Sequence, residues 1–224
     1  MSILQVENVS YTYQSKYQKV QALTNVSCEF EAGKFYAIVG HSGSGKTTLL
    51  SMLAGLGTPT TGNVFVNGKT IREIGSARHR RENVSVIYQA FNLFPNLNVL
   101  ENTMYPMQLI GKSQKTAKER AIELLYSVGL TDEQFKKFPA MLSGGEQQRV
   151  AIARALASDA KIILADEPTG NLDTENGKIV IDILIRLAKE ENYCVVVVTH
   201  DLDIAAQADV LYRMIDGKIG ECVK

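Results

Sequence analysis

Residues 40–47, GHSGSGKT, constrain the fold of this chain more than any other segment. The apolar, β-forming run FYAIV at 35–39 comes directly before them, and the helix-forming run TTLLSMLAGL begins at Thr47. Such a loop binds phosphate, because its glycines let backbone N–H groups turn inward and the helix N-terminus adds a positive dipole. A plain glycine-rich turn with an exposed lysine is the alternative, but every fixed position and both flanks agree. The segment therefore predicts a nucleotide-binding α/β fold.

Two side chains at the end of this loop have direct chemical roles when a nucleotide is bound. Lys46 reaches the β- and γ-phosphate oxygens, and the Thr47 hydroxyl can bind Mg²⁺. The nucleotide-contacting residues that the segment predicts are Gly40, Ser42, Gly43, Ser44, Gly45, Lys46, Thr47 and Thr48.

A second apolar run ends in two acids. Residues 162–167, IILADE, end at Asp166 and Glu167. Beside a phosphate-binding loop, the first acid lies near the Mg²⁺ shell and the second lies toward the attacking water, as a general base. On its own, this pattern is equally well explained as a solvated turn that leads to Pro168. Together with the loop it predicts a hydrolytic site.

Residues 142–147, LSGGEQ, resemble the LSGGQ signature of ATP-binding-cassette (ABC) proteins, with Glu146 in the usual glutamine position. Ser143 and Glu146 also have the spacing of a capping box that opens a helix, and the two glycines leave its first N–H groups accessible to an anion. A capping box without further function is the alternative, because capping boxes are common. The place of the segment shortly before Asp166 favours the signature.

The resemblance to the ABC family extends over nearly the whole chain. It implies that Tyr13 stacks on adenine and that Gln89 is the Q-loop glutamine. It further implies that Asp173 ends the D-loop and that His200 is the switch histidine. Each position has a plain structural alternative. Tyr13 or Tyr11 would be an aromatic on a strand face, and Gln89 a polar residue at a strand end. Asp173 would cap a helix, and His200 would be a cap or turn residue. Their order and approximate spacing around the three motifs favour the functional interpretation.

Three segments resemble a narrower subgroup, the ATPases of macrolide exporters, lipoprotein-releasing systems and antimicrobial-peptide exporters. They are LSGGEQQRVAIARAL at 142–156, LADEPTGNLD at 164–173 and VGL at 128–130. The cell-division ATPase that partners a related permease shares much of this pattern. His41 and Ala90 depart from relatives without touching a chemical role, although Ala90 leaves the identity of the partner open.

The local patterns also predict the architecture. β-formers at residues 4–9, 22–30 and 63–66, the last followed by an Asn67-Gly68 turn signal, predict an antiparallel β portion near the N-terminus. Short apolar runs are typical of strands buried on both faces of a mostly parallel core sheet, and they lie at 35–39, 161–165 and 194–198.

Helix formers between residues 99 and 130 predict an inserted helical subdomain, which we place at approximately residues 90–157. With the family resemblance, the expected fold is an α/β P-loop NTPase that occupies residues 1–224 as a single domain.

One phosphate-binding loop and one signature in a chain imply a second copy, because in the family the signature helix faces the γ-phosphate held by another subunit. The resemblance thus implies a head-to-tail homodimer with ATP and Mg²⁺ at the interface. The implied nucleotide contacts outside the loop are Tyr13, Gln89, Ser143, Gly144, Gly145 and Glu146. The implied catalytic residues are Lys46, Glu167 and His200. The implied metal ligands are Thr47, Gln89 and Asp166.

Composition bears on the partners and the cellular location expected for this chain. Lys+Arg and Asp+Glu number 24 each, so the formal net charge is +0 and no overall positive field recruits nucleic acid. The most apolar run, 194–198, is far too short to cross a bilayer, and the N-terminus lacks a basic region followed by an apolar stretch. Cys28, Cys194 and Cys222 lack metal-like spacing and are assigned no chemistry. We expect a cytoplasmic protein, peripheral on the inner face of the membrane.

The apolar segment FNLFPNL at residues 91–97 follows shortly after Gln89 and is broken by Pro95, so it is expected to be a loop. Its side chains either pack into the core of the chain or face another protein. In the resembling family this region receives a short helix of the permease. The resemblance therefore implies an integral-membrane permease docked near residues 89–97.

Three functions use these motifs. The first is the ATPase of a transporter, and the second is an ATPase that regulates a membrane protein by mechanical signalling without transport, as in cell division or drug sensing. The third is a soluble cassette ATPase acting on nucleic acid. Such proteins usually carry two cassettes or a long coiled-coil insert, which 224 residues do not accommodate. The catalytic motifs do not separate the first two.

Overall fold

The computed structural model describes residues 2–15 and 18–222. Within these residues the chain forms two β-sheets with helices packed around the second. The strands are β1 (Ser2–Gln14), β2 (Lys19–Glu31), β3 (Phe35–Val39), β4 (Thr61–Val66), β5 (Lys69–Thr70), β6 (Val84–Tyr88), β7 (Ile162–Asp166), β8 (Cys194–Thr199), β9 (Val210–Ile215) and β10 (Lys218–Cys222). The α-helices are α1 (Lys46–Leu53), α2 (Ile71–Ile74), α3 (Ser76–Glu82), α4 (Val99–Leu109), α5 (Gln114–Ser127), α6 (Asp132–Phe135), α7 (Gly144–Leu156), α8 (Thr174–Glu191) and α9 (Leu202–Ala206).

The N-terminal strands form an antiparallel sheet in the order β2-β1-β4-β5, as the sequence predicts. Asn67 (φ 49°) and Gly68 (φ 77°) join β4 to β5 with two consecutive residues in the left-handed region, the backbone of a tight hairpin turn. β1 and β2 pair as far as Gln14 opposite Lys19. Tyr13 therefore lies in the last part of a paired strand.

The core sheet has the order β10-β9-β3-β8-β7-β6 in the described chain, and only β10 runs antiparallel to its neighbour. Its central strands are buried on both faces. In β8, Val195 and Val197 pack toward the helices, whereas Cys194, Val196 and Val198 pack toward α1 and the antiparallel sheet. The strand therefore shows no polar alternation, and the three strands predicted from apolar runs are confirmed as β3, β7 and β8.

Two further parallel strands, β6 and β9, do not stand out in the sequence because polar residues interrupt their apolar runs. Ser85 of β6 is buried, and its hydroxyl donates to the carbonyl of Ala155 in α7 at 2.8 Å. A helix carbonyl thus satisfies a hydroxyl in the core, a partner that the strand sequence does not reveal. Arg213 of β9 is exposed and lies between the buried Tyr212 and Met214.

Helices α4 and α5 lie in the segment 99–130 that the sequence predicts to be helical, and with α6 and α7 they pack on one face of the core sheet. α4 begins at a capping box in which Asn98 and Glu101 each bond to the backbone N–H of the other at 2.9 Å. The limits 90–157 for this subdomain remain a prediction. In the part of the chain that the structure covers, no helix combines the length and the apolar content needed to span a bilayer.

Candidate nucleotide-hydrolysis site

Four neighbouring strands of the core sheet, β3, β8, β7 and β6, end at one edge. Val39 of β3 pairs with Thr199 of β8, and Asp166 of β7 pairs with Tyr88 of β6. The residues that follow these strand ends are Gly40, His200, Glu167 and Gln89. The parallel sheet thus brings together side chains from four distant parts of the sequence, at the place where open α/β sheets bind ligands.

Glycine is required in the loop after β3 because protein atoms surround its backbone. A Cβ added at Gly40 would lie 2.4 Å from the carbonyl oxygen of Met214 and 2.6 Å from the Ser44 hydroxyl. Gly45 has a φ of 103° and precedes α1, and a Cβ there would lie 2.6 Å from the carbonyl oxygen of Ala22. The loop has the strand, turn and helix context that the sequence predicts.

Lys46, the first residue of α1, folds back over this loop. Its ammonium donates to the carbonyl oxygens of Gly40 at 2.8 Å and His41 at 3.0 Å, and the residue is 8% exposed. The loop therefore holds one buried positive charge against its own backbone. Such a charge favours the terminal phosphates of a nucleoside triphosphate.

Thr47 and Asp166 form a pair of oxygen donors beside the loop, with the hydroxyl donating to the carboxylate at 3.4 Å. Burial raises the pKa of Asp166, and the negative charge of Glu167 raises it further. The hydrogen bond from Thr47 and the positive charge of Lys46 lower the pKa, but they do not cancel the rise. A nearby divalent cation would reverse the shift by favouring the charged carboxylate. Hydroxyl and carboxylate oxygens are the ligands that Mg²⁺ prefers, so these residues fit that ion.

Glu167 and His200 lie together at the carboxyl ends of β7 and β8. The His200 Nδ1–H donates to the Glu167 carboxylate at 2.9 Å, and the Thr199 hydroxyl donates to its other oxygen at 3.3 Å. Glu167 has a φ of 47°, and its N–H bonds to the Val198 carbonyl at 2.9 Å. A left-handed backbone at a residue other than glycine is strained and persists where surrounding contacts enforce it, often at functional sites. The carboxylate is thus oriented by two donors.

An open cleft of about 540 Å³ lies over the phosphate-binding loop, within the size range of ligand sites. Glu167 and His200 line one part of it and Tyr13 lines another, with the Tyr13 hydroxyl 3.3 Å from that of Thr48. The pairing of β1 with β2 adds lining residues that no sequence motif indicates, namely Val20, Gln21 and Ala22.

The signature segment is built as a helix start, away from this cleft. Ser143 caps α7 and forms a capping box with Glu146, whose carboxylate accepts the Ser143 N–H at 2.8 Å. Burial opposes ionisation of Glu146, but hydrogen bonds from Ser143 and Gln134 outweigh it and lower the pKa. A Cβ at Gly145 would lie 2.0 Å from the Asn176 amide oxygen, so only glycine fits there. Ser143, Gly144, Gly145 and Glu146 do not line the cleft of their own chain.

Gln89 is tied to the segment after Glu167. Its amide donates to the Asn171 side chain at 3.3 Å, and Asn171 donates back to the Gln89 carbonyl at 2.9 Å. Asp173 caps α8, accepting from the Asn176 N–H at 2.9 Å, so the helix-cap role expected for it is present. A role of Gln89 as metal ligand remains a prediction.

The comparison with protein families decides the identity of this arrangement. Residues 23–170 match the model of the family described as ABC transporter. The chain belongs to this family. It is therefore an ATP-binding and ATP-hydrolysing subunit of the ABC type, as the three sequence motifs predict.

Relatives of known family agree over almost the full length of this ABC ATPase. An uncharacterized ABC transporter ATP-binding protein of Bacillus subtilis, YclH, is 42% identical over 217 residues, which are 97% of this chain and 95% of that protein. The lipoprotein-releasing system ATP-binding protein LolD of Syntrophus aciditrophicus is 40% identical and covers 98% of this chain and 100% of its own. These matches favour a transporter ATPase over the mechanical-signalling alternative.

Solved structures confirm the fold class. The dimeric bacterial ABC transporter cassette MJ0796 superposes with a TM-score of 0.89 at 36% identity and covers 99% of both chains. A second structure of MJ0796, dimeric after hydrolysis and bound to ADP and phosphate, gives the same TM-score at 35% identity. The P-loop NTPase fold with an N-terminal antiparallel sheet and a helical insert is therefore established for this ABC ATPase.

Tyr13→Ala is expected to raise the KM for ATP by about 5-fold or more and to change kcat little, because stacking on a base contributes about 1–3 kcal/mol. Tyr13 is 50% exposed in the cleft, whereas Tyr11 is half-buried and packs edge-on against it, 4.9 Å between ring centroids. Steady-state kinetics of both alanine variants check this. A larger KM increase in Tyr11→Ala would show that the wrong aromatic is assigned to adenine.

Proposed function

We propose that this ABC ATPase works as a head-to-tail homodimer that drives an integral-membrane permease. The observation that carries the dimer is the separation, within one chain, of the cleft from the exposed start of α7 at Ser143. A helix N-terminus with a serine cap and two glycines is suited to bind a phosphate. The cleft of the same chain, where its own nucleotide would bind, is not lined by this helix N-terminus. A second copy turned head to tail would place the helix N-terminus over the other cleft, and the dimeric structures of MJ0796 support a dimer.

Each residue of the site has a role in the proposed reaction. Lys46 binds the β- and γ-phosphates, Glu167 accepts the proton of the attacking water, and His200 holds Glu167 and the γ-phosphate in place. Thr47, Asp166 and Gln89 would hold Mg²⁺, which would neutralise charge that develops on the phosphate oxygens. The signature of the second copy completes the site, so hydrolysis weakens the interface and opens the dimer.

The permease is proposed to dock at a groove of about 370 Å³ beside the loop after Gln89. Phe94 is 41% exposed there, with its ring centroid 4.7 Å from that of Tyr105. Arg154 donates to the carbonyl oxygens of Phe91 at 3.1 Å and Asn92 at 2.6 Å, and both of these residues have left-handed backbones. The loop is thus held in one shape by the signature helix while it presents an apolar side chain to solvent. We place the dimer on the inner face of the membrane through this contact.

Phe94→Asp is expected to leave the isolated subunit folded and able to bind ATP but to remove its association with the permease. A charge on an exposed side chain has little effect on stability, whereas at an apolar interface it is desolvated without a partner. Co-purification of the complex and partner-stimulated ATP hydrolysis are the measurements, with thermal melting as the check on folding.

Phe138→Asp is the matched control, because Phe138 is 44% exposed and does not line the groove. It should retain the complex. A Phe94→Asp protein that keeps the complex and its full stimulation would rule out docking at this groove. A collapsed melting temperature would instead show that Phe94 belongs to the core of the chain.

A further inference from the structure

Gln148 is a polar side chain in the middle of the packed face of α7. It is 0% exposed, and its amide nitrogen donates to the carbonyl of Pro168 at 2.9 Å. Its amide oxygen is buried without a hydrogen-bond partner in the described structure. A carbonyl only accepts, so the contact with Pro168 fixes which end of the amide faces the loop. A buried amide with one unpaired end costs free energy of desolvation, so packing alone does not explain a glutamine at this position.

The carbonyl that Gln148 holds belongs to the residue directly after Glu167. The turn at Glu167 has a strained backbone, with a φ of 47°. Two backbone bonds hold it, one to β8, from Glu167 N–H to the Val198 carbonyl at 2.9 Å, and one within the turn, from Gly170 N–H to the Glu167 carbonyl at 3.0 Å. Gln148 supplies a third bond, and this one comes from α7. α7 therefore contributes one of the contacts that hold the turn carrying Glu167.

α7 is also the signature helix, so the signature at Ser143 and the contact of Gln148 with the Glu167 turn belong to the same helix. Ser143 caps it, and Gln148 follows five residues later in the same α-helix, about 7.5 Å along the axis. Residues 144–156 form one continuous hydrogen-bonded helix, so its first turn and Gln148 move together. A displacement of Ser143 is thus passed to Gln148.

We propose that Gln148 is a positioning residue that couples the signature of a chain to the general base, Glu167, of the same chain. This rests on the proposed head-to-tail dimer, in which the signature contacts the nucleotide of the partner while Glu167 serves the nucleotide of its own chain. ATP bound at one site then sets the base at the other site. The two sites hydrolyse ATP cooperatively for this reason.

Gln148→Met tests the coupling because methionine has similar length and fills the same space without a donor. We expect an ATP affinity within about 2-fold of wild type, a kcat lowered by about 10²-fold and a Hill coefficient near 1, since a small displacement of a catalytic group has effects of this size. Ser85→Ala is the matched control. It removes another buried hydrogen bond to α7, that to the Ala155 carbonyl, together with the contact to the Ser158 hydroxyl. Ser85 pairs with Ile163, four residues before Glu167, and does not contact the turn at Glu167. It should lower the melting temperature comparably and keep kcat and cooperativity.

Mixed dimers with differently tagged chains separate positioning from a structural role. With Glu167→Gln in one chain, only the site of the other chain hydrolyses ATP. Gln148→Met in the chain that keeps Glu167 should lower the remaining rate by about 10²-fold, whereas in the Glu167→Gln chain it should leave that rate within about 2-fold. Equal losses in both arrangements, or a loss only in the second, overturn the proposal. If Glu167→Gln in both chains leaves hydrolysis intact, or ATP forms no dimer, the proposed function fails independently of Gln148.

Discussion

Lys46→Ala is expected to lower the rate of ATP hydrolysis by at least about 10²- to 10³-fold and to weaken ATP binding severely. The Lys46 ammonium is held against the phosphate-binding loop by the carbonyl oxygens of Gly40 and His41 before any nucleotide binds. Its charge contacts the β- and γ-phosphates in both the ground state and the transition state, so its loss affects binding and turnover together. Phosphate release and equilibrium ATP binding of the purified protein are the measurements.

Two controls make the Lys46 result specific. Lys69→Ala removes an exposed lysine of β5, outside the cleft, and should retain wild-type turnover. Thermal melting of Lys46→Ala is needed because Lys46 is only 8% exposed and its side chain also packs. Near wild-type hydrolysis by a folded Lys46→Ala protein would contradict the assignment of this loop as the phosphate site.

Glu167→Gln is expected to bind ATP with nearly unchanged affinity and to lose hydrolysis by about 10²- to 10⁴-fold, the usual contribution of a positioned general base. The amide keeps the size of the carboxylate but loses its basic oxygen. His200 and Thr199 each donate to a different oxygen of the Glu167 carboxylate. In the glutamine variant one of these oxygens is replaced by an NH₂ group, so one of the two hydrogen bonds is lost.

The ATP-bound dimer of Glu167→Gln should accumulate, because binding closes the interface and the step that opens it is blocked. Gel filtration with ATP and Mg²⁺ should show a species of twice the monomer mass, and the same protein without nucleotide is the reference. Lys46→Ala provides the opposite control, since it should fail to dimerise for lack of bound ATP. A Glu167→Gln protein that stays monomeric in ATP and Mg²⁺ would refute the head-to-tail arrangement.

The local chemistry of the site could be predicted because it depends on short runs of sequence. A phosphate-binding loop needs glycines within a few residues of one lysine, and Gly40 and Gly45 are required by contacts that leave no room for a Cβ. The same holds for the capping box at Ser143 and for the acids at the end of β7. Strands buried on both faces are continuous apolar runs, so β3, β7 and β8 could be recognised.

Long-range pairing decided what these motifs do together. Register between parallel strands brings Glu167 and His200 within hydrogen-bond distance, although 33 residues separate them. The part of the cleft lined by Val20, Gln21 and Ala22 forms only because β1 pairs with β2. A polar residue such as Ser85 enters a buried strand only because α7 offers it a carbonyl.

The sequence by itself thus determined the family, the phosphate-binding loop, the acidic strand end and the signature, since each is encoded in adjacent residues. Only the tertiary structure decided that Val20, Gln21 and Ala22 line the cleft and that Gln148 holds the loop of Glu167. The physical reason is that hydrogen-bond partners and burial depend on which distant segments pack together. Helix and strand patterns do not carry that information.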